Sequence, residues 1–309
     1  MWVAPAKYLI MYKQSNKFNN SISKNLYQKE WEKIEKKSDK PYNYKKLISI
    51  EHKEFVSKIL EQDPSFVKKT VESIYNGDLY LLKNSLSKEK IDHVINTIHE
   101  YNQSCPSTFH KMHEGIPNFH RWIGKGRAEN SYCIKHIKHA TYLFPWNEDI
   151  KGVKKIIMDA CRPLKLLAGL SLNEFTNNTP KDNQIERVQV TRYPPSGYIE
   201  PHMDPVPNIR FIISGYLSKR GVDYSEGGFY LVDEKNGKLD MEQYIDQGDV
   251  GFFMASLRHG LATIDSKKPT DIKKKDGRWW FGLNMHNSDV IKPEERHVGT
   301  PYDINSNVY

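Results

Sequence analysis

The chain has 309 residues, 38% of them hydrophobic and 12% aromatic, enough to bury a sizeable core in one large or two small domains. No apolar run approaches the roughly 18 residues a membrane span requires, and Cys105, Cys133 and Cys161 are too few and too widely spaced for a disulfide framework or a zinc cluster. The net charge of +8 sits largely in Lys/Asn-rich segments without an Arg-rich or Gly/aromatic pattern, which favours a solvated lysine surface over a nucleic-acid partner.

The N-terminal stretch lacks a basic leader ahead of its apolar residues, so no secretory signal is read and a cytoplasmic location is expected. Residues 1–48 read as a Lys/Asn-rich arm, weakly helical or loosely packed, ahead of a single domain over 49–309. Phe55, Val56, Ile59 and Leu60 recur at helical spacing up to the break at Asp63-Pro64, and Val67, Val71 and Ile74 form the stripe of a second helix. Leu79 to Leu82 reads as a strand. Ser87 caps a third helix with the stripe Ile91, Val94, Ile95, Ile98 and Tyr101.

Between Pro106 and Trp146 the chain turns aromatic and His-rich, but no pair falls in a recognised ligand spacing such as His-Glu-x-x-His. The partial alternation of Tyr132 to His139 could turn one polar face toward a pocket, which makes this segment a place to look for substrate contacts. Ile150 to Leu170 has helical spacing, with Pro163 expected to divide it or start a new turn. From Glu186 the texture becomes short β-like runs: 187–193, 198–202, 209–217, 228–232, 249–255, 259–264 and 278–285. Seven such strands with turns between them imply an antiparallel sandwich or barrel.

Within them, His202-Met-Asp204 places two ligand side chains on one strand face, because the pleat alternates with period two. His259 follows a turn and an apolar strand, where the sheet could return it to the first two. Two His and one carboxylate on one face of an octahedron leave open positions, as in non-haem Fe(II) oxygenases. Arg278, set among Trp279, Trp280 and Phe281, offers a planar fork that can bind a carboxylate bidentately, or can pair with an Asp or Glu.

Over about residues 186–288 the sequence resembles the Fe(II)- and 2-oxoglutarate-dependent dioxygenases, especially the prolyl-hydroxylase-like branch. Arg192-Tyr-Pro-Pro-Ser-Gly-Tyr-Ile-Glu-Pro-His-Met-Asp204, Gly227-Gly-Phe-Tyr-Leu-Val232, Gly248-Asp-Val-Gly-Phe-Phe253, His259 and Gly277-Arg-Trp-Trp-Phe281 stand in the family's order. The resemblance implies an α+β, mainly β fold, a double-stranded β-helix (jelly roll, cupin-like) with a helical N-terminal scaffold. It implies Fe(II) held by His202, Asp204 and His259, 2-oxoglutarate paired with Arg278, O2 as co-reactant and ascorbate as reductant. Tyr193 and Tyr216 are candidates to hydrogen-bond the cosubstrate, or are core aromatics.

The reaction so implied decarboxylates 2-oxoglutarate to succinate and CO2 and hydroxylates a C–H bond. The expected prime substrate is a small molecule such as an amino acid or biosynthetic intermediate; the alternatives are a protein or peptide hydroxylase and a non-catalytic cupin-like metal-binding protein. His120, Arg121, His136, His139, Arg210 and Arg258 are the candidate substrate residues, the arginines suggesting a carboxylate or phosphate.

Two departures stand out. Arg278 follows His259 by 19 residues where many relatives have about ten, because Asp265 to Lys275 forms an insertion expected at an exposed hairpin tip. The second Arg that nucleic-acid demethylases of the superfamily carry is replaced by Asn284, which weakens a nucleic-acid substrate. Asp204 in place of Gly or Ala argues against the related halogenases.

Overall fold

The computed structural model describes residues 25–37, 40–127, 134–204, 210–292 and 300–301. Tyr132 and Cys133 of the His-rich segment and residues 1–24 of the expected arm lie outside that set. Among the described residues no helix is long and apolar enough to cross a membrane.

Helices gather on one side of the sheets. Asn25 caps α1 (Leu26–Ile34) by accepting from Gln28 N. Tyr27 and Trp31, four residues apart on one helix face, are fully buried. Tyr27 Oη donates to Ile59 O and Trp31 Nε1 to Leu167 O, so this part of the expected arm is built into the core. Next come α2 (His52–Glu61), α3 (Pro64–Tyr75, capped by Asp63), α4 (Lys88–Ser104, capped by Ser87) and α5 (Val153–Leu167). Pro163 does not divide α5. A proline removes one backbone donor, while the buried face of Ile157, Cys161 and Leu164 holds the helix on the sheet on both sides of it. A buried ion pair between Lys165 and Glu186 adds a tie to the strand beneath.

Two sheets carry the rest. The first runs β1 (Leu47–Glu51), β2 (Leu79–Lys83), β10 (Val250–Met254), β7 (Phe211–Tyr216), β12 (Arg278–Asn287), β5 (Gln184–Tyr193) and β4 (His136–Leu143), with β3 (Phe119–Ile123) also on β4. The second runs β6 (Tyr198–Met203), β11 (His259–Ala262), β8 (Gly228–Asp233) and β9 (Gly237–Asp240), with β13 (Thr300–Pro301) beside β6. Among the described strands β1 and β2 pair in parallel and the other ladders are antiparallel. Phe229 of β8 and Phe253 of β10 meet between the sheets with ring centroids 5.5 Å apart. This is a mainly β α+β architecture, two packed antiparallel sheets with helices on one side.

All seven strands expected after Glu186 are present, with ends shifted by one to a few residues. The segment Asp265 to Lys275 is not a hairpin tip. Its flanking strands pair with different neighbours, β11 with β6 and β8, β12 with β5 and β7, so it crosses from one sheet to the other. Arg192 pins it by donating to Asp271 O and to Asp276 Oδ1, and the Asp265 carboxylate accepts from Ser225 N and Glu226 N.

Candidate metal centre and cavity

His202 on β6 and His259 on β11 are directly paired across the antiparallel ladder. Their ring centroids are 4.3 Å apart. Asp204 follows β6 at once, and its N donates to Ala255 O, which fixes the backbone where the strand ends. Potential ligand atoms of His202, Asp204 and His259 lie within 4.8 Å of one another.

Tautomers follow from the hydrogen bonds. His202 Nδ1 lies 2.8 Å from Glu200 O and His259 Nδ1 2.9 Å from Leu257 O. A carbonyl can only accept, so both Nδ1 atoms are protonated and each Nε2 presents a lone pair. Nε2 of His202 lies 3.8 Å and Nε2 of His259 3.3 Å from the Asp204 carboxylate. Burial, followed by the neighbouring His259, pushes His202 down to about 4. Burial alone would raise Asp204, but the adjacent His259 and His202 hold it well below the usual carboxylate range. Two neutral imidazoles and an ionised carboxylate, all deprotonated at the donor atom, suit a divalent metal with open positions.

These three side chains open onto a cavity of about 280 Å3 between the sheets, and Tyr193, Tyr216 and Arg278 line it too. Arg278 Nε donates to both oxygens of Glu242 at 3.0 Å, leaving the two terminal amino groups outside that interaction. Glu242 also accepts from Tyr224 Oη and Phe229 N. Burial opposes the charge of Arg278, but Glu242 outweighs it and keeps the guanidinium protonated. Its carbon sits 5.4 Å from the centroid of the Tyr216 ring. Burial raises the hydroxyl pKa of Tyr193 and Tyr216, so both remain neutral donors.

The candidate substrate residues lie elsewhere; none lines this cavity. His139 Nε2 donates to His120 Nδ1, whose Nε2 donates to Cys105 O, so this buried pair secures β3 and β4 to the end of α4. His136 Nδ1 donates to Ile134 O. Arg121 stacks over Phe109. Arg210 pairs with Glu35, donates to Ala168 O and so anchors the C-terminal end of α1. Arg258 pairs with Glu234.

The cavity instead draws Lys138, Arg187, Asn284 and His286 from the inward faces of β4, β5 and β12. The available signal was period-two alternation: Arg187, Gln189, Thr191 and Tyr193 share a face, as do Lys138 and Tyr142. Glu242 lies in a polar 3₁₀ turn that carried no motif.

No protein-family model matches the chain, and no curated protein does. Among solved structures, a prolyl-4-hydroxylase of Pseudomonas putida is similar at 10% identity over 66% of this chain and 90% of that one, with a TM-score of 0.42. A full-length protein of Neurospora crassa, solved in complex with alpha-KG and thymine, is similar at 14% identity over 85% of this chain and 95% of that one, with a TM-score of 0.46. A prolyl hydroxylase of Trichoplax adhaerens, solved with a hypoxia-inducible-factor peptide fragment, is similar at 13% identity over 75% of this chain and 89% of that one, with a TM-score of 0.45.

Proposed function

We propose that this chain is a non-haem Fe(II)- and 2-oxoglutarate-dependent oxygenase that hydroxylates a C–H bond of a small molecule, with release of succinate and CO2. One observation carries the reading: an open two-histidine, one-carboxylate donor set and a buried arginine that Glu242 engages through Nε share one cavity. Iron bound there with the cosubstrate would supply O2 activation, the chemistry that side chains lack.

The protein's own part is binding and orientation. His202, Asp204 and His259 would hold the metal, their rings locked by the Glu200 and Leu257 carbonyls. Arg278, braced from behind by Glu242 and from its face by Tyr216, would anchor the distal carboxylate of 2-oxoglutarate. Phe229, Phe253, Ile199 and Leu261 give the cavity an apolar lining that excludes water from the reacting atoms. A volume of about 280 Å3 suits the cosubstrate and a small partner better than a length of polypeptide, which favours the small-molecule reading over the peptide hydroxylase.

Purified protein given Fe(II), ascorbate and 2-oxoglutarate should form succinate slowly without a prime substrate. Tight metal binding with no affinity for 2-oxoglutarate and no succinate would instead assign a metal-binding protein.

A further inference from the structure

Five arginines in this fold are answered by carboxylates. Arg192 pairs with Asp276, Arg210 with Glu35, Arg220 with Asp240, Arg258 with Glu234 and Arg278 with Glu242. Arg187 and Lys138, both facing the cavity, have none within ion-pair distance among the described residues. The Arg187 guanidinium is nevertheless firmly placed. Its plane lies 4.4 Å from the Tyr142 ring centroid, and Nη2 donates to Gln189 Oε1 at 2.9 Å and to His286 Nε2 at 2.7 Å. Gln189 is held in turn by Asn284, its Oε1 accepting from Nδ2, and donates to Thr191. Arg187 Nε is buried without a hydrogen-bond partner. Lys138 Nζ has no hydrogen-bond partner among the described residues, and burial, with the nearby Arg187 charge, lowers it to about 8. A cation pair built this carefully and left unneutralised is costly unless something anionic arrives.

Charge balance in the cavity points the same way. Three cations, Lys138, Arg187 and Arg278, face two carboxylates, Asp204 and Glu242. A divalent metal and dianionic 2-oxoglutarate cancel each other, so the loaded site keeps one positive charge. Arg278 stands at the start of β12, whereas Arg187 pairs with Asn284 near its end, so the two cationic positions are about 20 Å apart along the sheet. One cosubstrate therefore does not neutralise both.

We propose that Arg187 and Lys138 form a second anion subsite, which holds a carboxylate or phosphate of the prime substrate and so aims its C–H bond at the metal centre. This rests on the oxygenase reading above and assigns its substrate class. Asp204 is near enough for its charge to act on both Lys138 and His286. The anionic group would thus be held beside the candidate metal ligands, away from Arg278.

The test uses the full chain saturated with Mn(II) and 2-oxoglutarate, which blocks turnover and fills the Arg278 end. Benzoate, benzamide and inorganic phosphate are titrated in by calorimetry. An anion held by two charged donors should bind on the order of tenfold or more tightly than the neutral amide of the same shape. The preference should collapse in Arg187→Gln and in Lys138→Met, two variants so that a folding defect in one leaves the other to decide. Benzoate as the tighter anion assigns a carboxylate, and phosphate a phosphoryl group. Equal binding of benzoate and benzamide, no binding by either anion, or anion binding unmoved in both variants overturns the subsite. Failure of 2-oxoglutarate to bind the Mn(II) protein would instead sink the underlying function.

Discussion

His259 faces His202 directly across the β6–β11 ladder, and each ring hangs from the carbonyl two residues before it. The donor set is therefore assembled by strand pairing before any metal arrives. Replacing His259 or Asp204 with Ala should weaken Mn(II) binding by more than the roughly 10- to 100-fold typical of losing an outer-sphere partner. Calorimetry with Mn(II) reads this directly. Chelation of the metal from the wild type should lower its melting temperature, because a ligand at about 100 times its Kd stabilises by ~2.7 kcal/mol; the Asp204→Ala protein should show little such shift.

A double-mutant cycle separates the ion pair of Arg278 with Glu242 from its proposed role in cosubstrate binding. Arg278→Gln leaves Glu242 ionised and buried without its cation, which should cost about 3 kcal/mol in urea unfolding as well as 2-oxoglutarate affinity. Adding Glu242→Gln should restore much of the stability. It should not restore cosubstrate binding. Recovery of both together would mean that Arg278 acts on the cosubstrate only through the fold.

Stability should decline on mild acidification. Burial first, with Lys138 beside one ring and His120 beside the other, pushes His136 and His139 from the ordinary 6.5 down to about 3. The folded state then binds fewer protons than the unfolded chain between those values, so stability is lost as pH falls below about 6.5. Each histidine should remove about 1.4 kcal/mol between pH 7.5 and 5.5. Urea midpoints at the two pH values check this, and His139→Asn should show the shallower dependence.

Gly277 introduces Arg278 with φ +104°, and a Cβ there would lie 2.3 Å from Tyr193 O. The strand start cannot back away, because Arg278 and Tyr193 are register partners on β12 and β5. Gly277→Ala should cost more than about 1 kcal/mol of stability and weaken 2-oxoglutarate binding alongside it. An Ala variant with wild-type melting and cosubstrate affinity would contradict this.

Much of the fold and the metal centre could be read from residue types and spacing. His202 and Asp204 were visible as a period-two pair, and the β-branched and aromatic runs after Glu186 marked the strand that bears His202 and ends just before Asp204. β4 was only hinted at by the partial alternation up to His139, because His136, Lys138 and His139 are poor strand signals until their partners in β5 and β6 are known. α5 was divided at Pro163 by local reasoning, whereas a buried face on both sides of the proline keeps it whole. Arg258 adjoins the ligand His259 and Arg210 precedes β7, which made them candidates, yet each stands just before its strand and reaches a carboxylate elsewhere. Lys138 and Arg187 carry the same charge but stand within β4 and β5 on the faces that line the cavity.

The strand β4 belongs to both sheets: His136 and Ile137 pair with β6, while His139 to Leu143 pair with β5. Lys138 sits between these two ladders. The strand is therefore a mechanical link between the ribbon that bears His202 and the wall that bears Arg187. A substitution such as Ile137→Ala, remote from any reacting atom, would loosen that link. Its signature would be a drop in turnover coupling, with more 2-oxoglutarate consumed per product formed, while each ligand still bound well on its own.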